Sequence, residues 1–165
     1  MKNFADAFDA LMFTEKGYWN DPVGGPTMWG VTERVARKNG YKGNMRDLPI
    51  GVAQSIAKSE YWDKYKCDQM PMVIAFQVFD TAYNGGRPIH WLQDAVGVTA
   101  DGVFGPKTLA AVYATDPYRI VLLFNAARIK YLTGLVNWSP NSRGWARRIA
   151  ENLEHAASQV HTEHV

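Results

Sequence analysis

Cysteine and long apolar runs are nearly absent from this chain. Cys67 is the one cysteine among the 165 residues, so no internal disulfide can form and folding does not depend on oxidation. The most apolar stretch, 120–127, is broken by Asn125 and followed by Arg128, so it is far too short to span a membrane. The first residues lack the apolar core of a secretory signal. We therefore predict synthesis in a cytoplasm without a signal peptide.

An excess of one charge is also missing from the chain as a whole. The 18 Lys and Arg residues nearly balance the 16 Asp and Glu residues, and the net charge of +2 does not predict nucleic-acid binding. Residues 117–150, however, contain no acidic residue. This local excess predicts either a surface that holds an anionic polymer or an ordinary solvated surface. Its basic members are Arg119, Arg128, Lys130, Arg143, Arg147 and Arg148.

Several common catalytic motifs are absent as well. The sequence has no Cys and His pair with the spacing of metal ligands and no glycine-rich phosphate loop after a strand. No serine lies in a nucleophile-elbow pattern. We therefore expect neither a metal nor a cofactor, which leaves acid–base chemistry by carboxyl groups.

Helical periodicity is the main pattern that is present, and it predicts a mainly α fold with seven or eight helices. Residues 72–83 are apolar almost all round, which predicts a central helix buried on several sides. Asp80 within it then requires a partner, such as an arginine of the basic 117–150 segment. Turn residues alternate with aromatics over 18–31, which predicts one small β-hairpin after the first helix. We predict a turn over 140–143 and a last helix over 143–160.

Glu15 lies at the end of the apolar stripe of the first predicted helix, which Gly17 terminates. A carboxyl group at the edge of an apolar face is partly desolvated, which favours the protonated form that a general acid requires. Glu15 is therefore a candidate catalytic acid. The alternative is a terminal glutamate whose side chain extends into solvent. The stripe that precedes it comprises Phe4, Ala7, Phe8, Leu11 and Met12.

An ordered set of motifs extends from this glutamate along nearly the whole chain. The set begins with Glu15-x-Gly17-Tyr18-x-Asn20-Asp21-Pro22 and Gly24-Gly25-x-Thr27-x-x-Gly30-Val31-Thr32, continues with Phe79-Asp80-x-Ala82-x-Asn84-x-Gly86, and reaches Asp101-Gly102-x-x-Gly105-Pro106-x-Thr108-Leu109. The first motifs resemble the N-terminal signature of glycoside hydrolase family 108. The last is similar to the predicted peptidoglycan-binding segment of that family. Its members are bacterial and phage muramidases, often endolysins.

The resemblance implies an α+β lysozyme-like fold and a lysozyme that hydrolyses the β-1,4 bond between N-acetylmuramic acid and N-acetylglucosamine, with Glu15 as general acid. We expect a single compact unit, 1–165, with a catalytic motif region 1–87 and a peptidoglycan-binding region 88–160. We expect the chain to bind peptidoglycan and not nucleic acid. We also expect it to have no membrane span and to be a monomer. It would act in the periplasm or cell wall after release through a holin or a secretion system. We expect Tyr18, Trp29, Thr32 and Asn84 to bind the substrate.

The loop after Asp21 departs from the family pattern, which usually reads Asn-Asp-Pro-x-Asp-x-Gly-Gly. Here the loop is about two residues shorter, and the second aspartate, the expected base, is missing. Asp21 is the nearest replacement, and Thr27 is a candidate for orienting the water. Three hypotheses follow: a hydrolase, a single-acid enzyme that forms 1,6-anhydro ends like a lytic transglycosylase, or a non-catalytic wall-binding module.

Overall fold

The computed structural model describes residues 1–15, 17–21 and 24–160, without the side chains of Asp21 and Val160. Its Cα positions cluster into two compact units, Lys2–Lys64 and Tyr65–Val165, the latter grouped with Met1. The first unit contains the helices α1 (Phe4–Thr14), α2 (Glu33–Lys38) and α3 (Ile50–Ala57), and the strands β1 (Tyr18–Asp21), β2 (Gly25–Met28) and β3 (Val31–Thr32). The second contains α4 (Met72–Asn84), α5 (Pro88–Val96), α6 (Pro106–Ala114), α7 (Pro117–Thr133) and α8 (Trp138–Val160).

Helix α1 forms as the apolar stripe predicts. The Asn3 side chain accepts a hydrogen bond from the Asp6 backbone N–H at 3.1 Å, which satisfies one of the free donors at the helix start. Ala7, Phe8 and Leu11 are buried on one face. The helix ends before Gly17, whose φ of 75° is one that glycine adopts readily.

The predicted hairpin is the first part of a three-stranded antiparallel sheet in the order β1-β2-β3. A two-residue turn joins β2 to β3. Trp29 and Gly30 both have positive φ, 55° and 75°, as a tight turn between twisted strands requires. The Trp29 indole N–H donates to the Leu48 carbonyl at 2.9 Å, which fixes this turn against the chain ahead of α3.

Helix α4 is the central buried helix that the sequence predicts. Of its 13 residues, all but Met72, Ala82 and Asn84 are buried. It packs against α5, α7 and α8 within the second unit. The mainly helical fold with a small sheet after the first helix is therefore confirmed, with eight α-helices in the described part of the chain.

Asp80 of α4 is the centre of a buried polar cluster. Its carboxylate accepts hydrogen bonds from Arg128 Nη1 at 2.7 Å, from Arg148 Nε at 2.8 Å and from Asn152 Nδ2 at 2.8 Å. Desolvation would raise the pKa of Asp80, but the charges of both arginines and the donated hydrogen bonds outweigh it and hold the pKa below its usual value. The predicted arginine partner for Asp80 is thereby confirmed. Arg128 and Arg148 hold helices together rather than forming an exposed basic surface.

Two predicted boundaries are wrong. The turn expected over 140–143 is absent, because α8 begins at Trp138 and includes Pro140 in its first turn. A proline there removes no helical hydrogen bond, since the first N–H groups of a helix have no partner within it. Pro49 fits the first turn of a helix, and the sequence predicts that this helix runs to about Lys66. In the structure α3 stops as an α-helix at Ala57 and continues as a π-helical segment, Lys58–Asp63.

None of the helices in the described residues is long and apolar enough to cross a membrane. The expectation that the whole chain forms one compact body remains a prediction.

Candidate active site

Glu15 is the C-cap residue of α1. Its backbone N–H donates to the Leu11 carbonyl at 3.1 Å, and its φ and ψ of −93° and 64° turn the chain out of the helix. The residue is half-buried, whereas Leu11, one turn earlier on the stripe, is 1% exposed. The structure thus places Glu15 at the border between the apolar face and solvent, as the sequence predicts. A general acid at such a border reaches a bound substrate while part of its surroundings stays dry.

Thr27 lies in the middle strand of the sheet that follows Glu15. Its Cα pairs with Trp19 on one side and with Thr32 on the other. Directly opposite residues of an antiparallel sheet project from the same face. The Thr27 hydroxyl donates to the Gly25 carbonyl at 3.5 Å, at the long end of the hydrogen-bond range.

Thr32 has a structural role at the start of α2. Its hydroxyl oxygen accepts a hydrogen bond from the Val35 backbone N–H at 3.4 Å, as expected of an N-cap residue. A hydroxyl that accepts in this way still has its own O–H to donate. The cap therefore does not prevent Thr32 from binding a substrate.

Tyr18 lies on the opposite face of the sheet from Thr27, in a row with Met28 and the buried Val31. The Arg46 guanidinium lies 4.0 Å from the centre of the Tyr18 ring, a cation–π contact. Tyr18 also borders an open cavity of about 370 Å³. The residues lining this cavity are Tyr18, Pro26, Glu33, Arg37, Lys42, Gly43, Asn44 and Met45.

Asp21, the candidate base, is the last residue of β1, and its Cα pairs with that of Gly25. Its side chain lies outside the described residues. The short connection from β1 to β2 is consistent with the missing loop aspartate. Asn84 is the exposed last residue of α4 and belongs to the second unit, whereas the other predicted site residues belong to the first.

Trp19 is a prominent exposed residue of this sheet that the sequence prediction did not include among the site residues. It is 65% exposed and shares the sheet face of Thr27 and Thr32. The alternation of residues along β1 carried the signal, because Trp19 must face away from Tyr18. Trp29, the tryptophan that the sequence predicts to bind the substrate, is half-buried and holds the β2–β3 turn through its indole N–H.

Among the described residues, no group of three or more His, Cys, Asp or Glu side chains is arranged to hold a metal ion.

Comparison with known proteins assigns both parts of the sequence. Residues 8–86 match the glycosyl hydrolase 108 family, and residues 87–150 match a predicted peptidoglycan domain. The solved structure of SagA from Brucella abortus superposes with a TM-score of 0.86 at 32% identity, covering 94% of each chain. No curated protein is significantly similar in sequence.

The fold and the two matched segments define a glycoside hydrolase that acts on peptidoglycan. More specifically, the chain belongs to the glycosyl hydrolase 108 family. The border between the matched segments, at residues 86 and 87, falls inside the second compact unit rather than between the units.

Proposed function

We propose that the protein is an N-acetylmuramidase, a lysozyme that hydrolyses the β-1,4 bond between N-acetylmuramic acid and N-acetylglucosamine. Glu15 is the general acid. The observation that carries this proposal is the position of Glu15, half-buried at the end of α1 and directly ahead of the small sheet, within the segment that matches the hydrolase family.

In this mechanism the Glu15 carboxyl donates its proton to the glycosidic oxygen as the bond to the anomeric carbon breaks. Positive charge then develops on the sugar ring, and water attacks the opposite face. An inverting enzyme holds that water with a second carboxylate, about 6.5–9.5 Å from the acid. We assign this base to Asp21. Thr27 orients the water through its hydroxyl.

The test is the clearing of purified cell walls by the wild type and by Glu15→Gln. The amide keeps the shape of the side chain but cannot donate an acidic proton, so we expect clearing to slow by about 10²–10⁴-fold. Glu60→Gln is the matched control, because Glu60 is in the same unit, is paired with Lys38 and does not line the cavity beside Tyr18. Equal clearing by Glu15→Gln and wild type would remove Glu15 as the acid. If neither protein clears walls but both bind them, the wall-binding module is the better assignment.

A lytic transglycosylase reaction is the second candidate, and the shortened loop favours it. The loop aspartate that usually acts as the base is missing from this sequence. In a transglycosylase the sugar's own hydroxyl closes a 1,6-anhydro ring, so no base for water is needed. Mass spectrometry of the wall fragments separates the two reactions: reducing muramic ends support hydrolysis, and anhydro ends support the alternative. Asp21→Asn should abolish the first reaction and spare the second.

We propose the cell wall as the place of action, with release from the cytoplasm through a holin or a secretion system, as for a phage or bacterial endolysin. Expression in the bacterial cytoplasm should leave cells intact until the inner membrane is permeabilised. Lysis should then follow for wild type and not for Glu15→Gln. Lysis without permeabilisation would contradict this requirement for release. We further propose that the protein acts as a monomer, which sedimentation velocity tests.

A further inference from the structure

Trp19 is exposed in a way that its contribution to folding does not explain. A tryptophan side chain stabilises a fold by burying a large apolar area, but Trp19 remains 65% exposed. The family motif quoted above specifies no residue type at the position of Trp19. Neither packing nor the family signature therefore assigns a role to this side chain.

The sheet places Trp19 in a row with two hydroxyl groups. Its Cα is opposite Thr27, and that of Thr27 is opposite Thr32, so the three side chains share one face. Neighbouring strands lie about 4.8 Å apart, which makes the row about 10 Å wide across the three strands. We call these three residues the Trp19 row. None of them carries a charge.

The chemistry of the Trp19 row fits a sugar ring. One face of a pyranose presents C–H groups, which pack on an aromatic surface, and its edge presents hydroxyl and amide groups that require hydrogen-bond partners. Thr27 contributes a hydroxyl whose internal hydrogen bond is long, 3.5 Å. Thr32 keeps an O–H donor while it caps α2. A neutral row of this kind suits an N-acetylated sugar better than the carboxylates of the wall peptides.

The row is also close to the proposed acid along the chain. Trp19 is four positions after Glu15 along the chain, so their Cα atoms are at most about 14 Å apart. A glycan strand that presents one bond to Glu15 therefore has another ring within reach of the row. We propose that the Trp19 row is a sugar-binding subsite that holds one ring of the glycan strand near the bond to be cleaved. This inference rests on the proposed function for its choice of ligand.

The test measures binding apart from cleavage. In the Glu15→Gln background, isothermal titration with a soluble tetrasaccharide of alternating N-acetylglucosamine and N-acetylmuramic acid compares Trp19→Leu, Trp19→Tyr and Ile50→Ala. We expect Trp19→Leu to raise Kd about tenfold, equivalent to ~1.4 kcal/mol. Trp19→Tyr keeps an aromatic face and should stay within about threefold of the parent. Ile50→Ala is the control and should leave Kd unchanged, because Ile50 is an exposed apolar side chain of the same unit, 49% exposed, but lies in α3 rather than in the sheet.

The outcomes separate this inference from the proposed function. If Trp19→Leu leaves Kd unchanged while Glu15→Gln abolishes cleavage, the subsite is overturned and the muramidase stands. If Trp19→Leu weakens binding while Glu15→Gln still cleaves, the subsite stands and Glu15 is not the acid. A change in self-association by Trp19→Leu without a change in Kd would assign the exposed face to contacts between proteins and overturn the subsite. In the otherwise wild-type enzyme, Trp19→Leu should raise KM more than it lowers kcat.

Discussion

The two compact units place their charged groups differently. In Lys2–Lys64 the ion pairs lie at the surface, such as Arg37 with Glu33 and Lys38 with Glu60, each with an N–O distance of 2.8 Å. In Tyr65–Val165 the Asp80 cluster is almost fully buried. Surface pairs contribute little to stability, whereas breaking a buried pair leaves an uncompensated charge. Substitutions of charged groups in the first unit should therefore change activity more than the free energy of unfolding. Substitutions in the Asp80 cluster should change the free energy of unfolding more than activity.

The segments that match the two sequence families and the two compact units of the structure also have different boundaries. Helix α4 belongs to the hydrolase segment by sequence, but it packs against α5, α7 and α8. The arginines that pair with Asp80 come from the peptidoglycan segment, at Arg128 and Arg148. We therefore expect that the hydrolase segment does not fold by itself.

Truncation should have the largest effect. A fragment of residues 1–86 keeps α4 but removes α5, α7 and α8, the α-helices that pack against it, so much of its apolar surface and Asp80 become exposed. We expect this fragment to be insoluble or unfolded by circular dichroism. A fragment of residues 65–165 retains α4 together with its packing partners and should show a cooperative thermal transition. Cooperative melting of 1–86 would place the folding boundary at the border between the families instead.

Asp80→Ala should have the next largest effect. It leaves two buried arginines without their carboxylate, and such a change costs about 3–5 kcal/mol of unfolding free energy. Glu60→Ala is the matched control in the first unit, because the Glu60 pair with Lys38 is solvent-exposed and should contribute at most about 1 kcal/mol. Urea denaturation measures both. Equal losses for the two variants would contradict the contrast between the units.

Acid should weaken the second unit through the same carboxylate. Because the folded-state pKa of Asp80 lies below its unfolded value of about 3.9, the unfolded chain binds the proton more readily. The stabilisation is therefore present above that value and is lost as the pH falls from about 5 through the lower folded pKa. Thermal melting of wild type and Asp80→Asn across this range should show the difference between them shrinking as the pH falls. A difference in melting temperature between the two proteins that does not change with pH would contradict this contribution of the Asp80 carboxylate to stability.

Local patterns predicted most of the fold. Local sequence is enough to propose helix caps at Asn3, Thr32 and Asp116, because the hydrogen bonds of a cap are made within a few residues, and the structure shows all three as N-caps. The all-apolar stretch predicted the buried α4 for a similar reason. The start of α8 was not predictable in this way, since Pro140 fits a turn and the first turn of a helix equally well.

The candidate site was predictable in part. The apolar stripe placed Glu15 correctly at the end of α1, because that position depends on helical spacing alone. The sequence predicted Trp29 as a substrate-binding residue, but the structural setting of Trp29 depends on the turn between β2 and β3. The positive φ of Trp29 is set by the pairing of those strands, and the hydrogen bond to Leu48 spans 19 residues. Neither feature has a signal in the local sequence.

Trp29→Phe should have the smallest effect. It tests whether, in the first unit, one tryptophan contributes to stability and another to substrate binding. Phenylalanine keeps an aromatic side chain but is smaller and lacks the indole N–H, so the partly buried hydrogen bond to the Leu48 carbonyl is lost. We expect a loss of about 1 kcal/mol in unfolding free energy, measured by urea denaturation, with KM on soluble glycan unchanged. Trp19→Leu, measured alongside, should show the opposite pattern, with KM raised and stability unchanged. If Trp29 only stabilises the turn, its substitution must lower the unfolding free energy whether or not substrate is present. A raised KM for Trp29→Phe without loss of stability would therefore support the substrate-binding role that the sequence predicted.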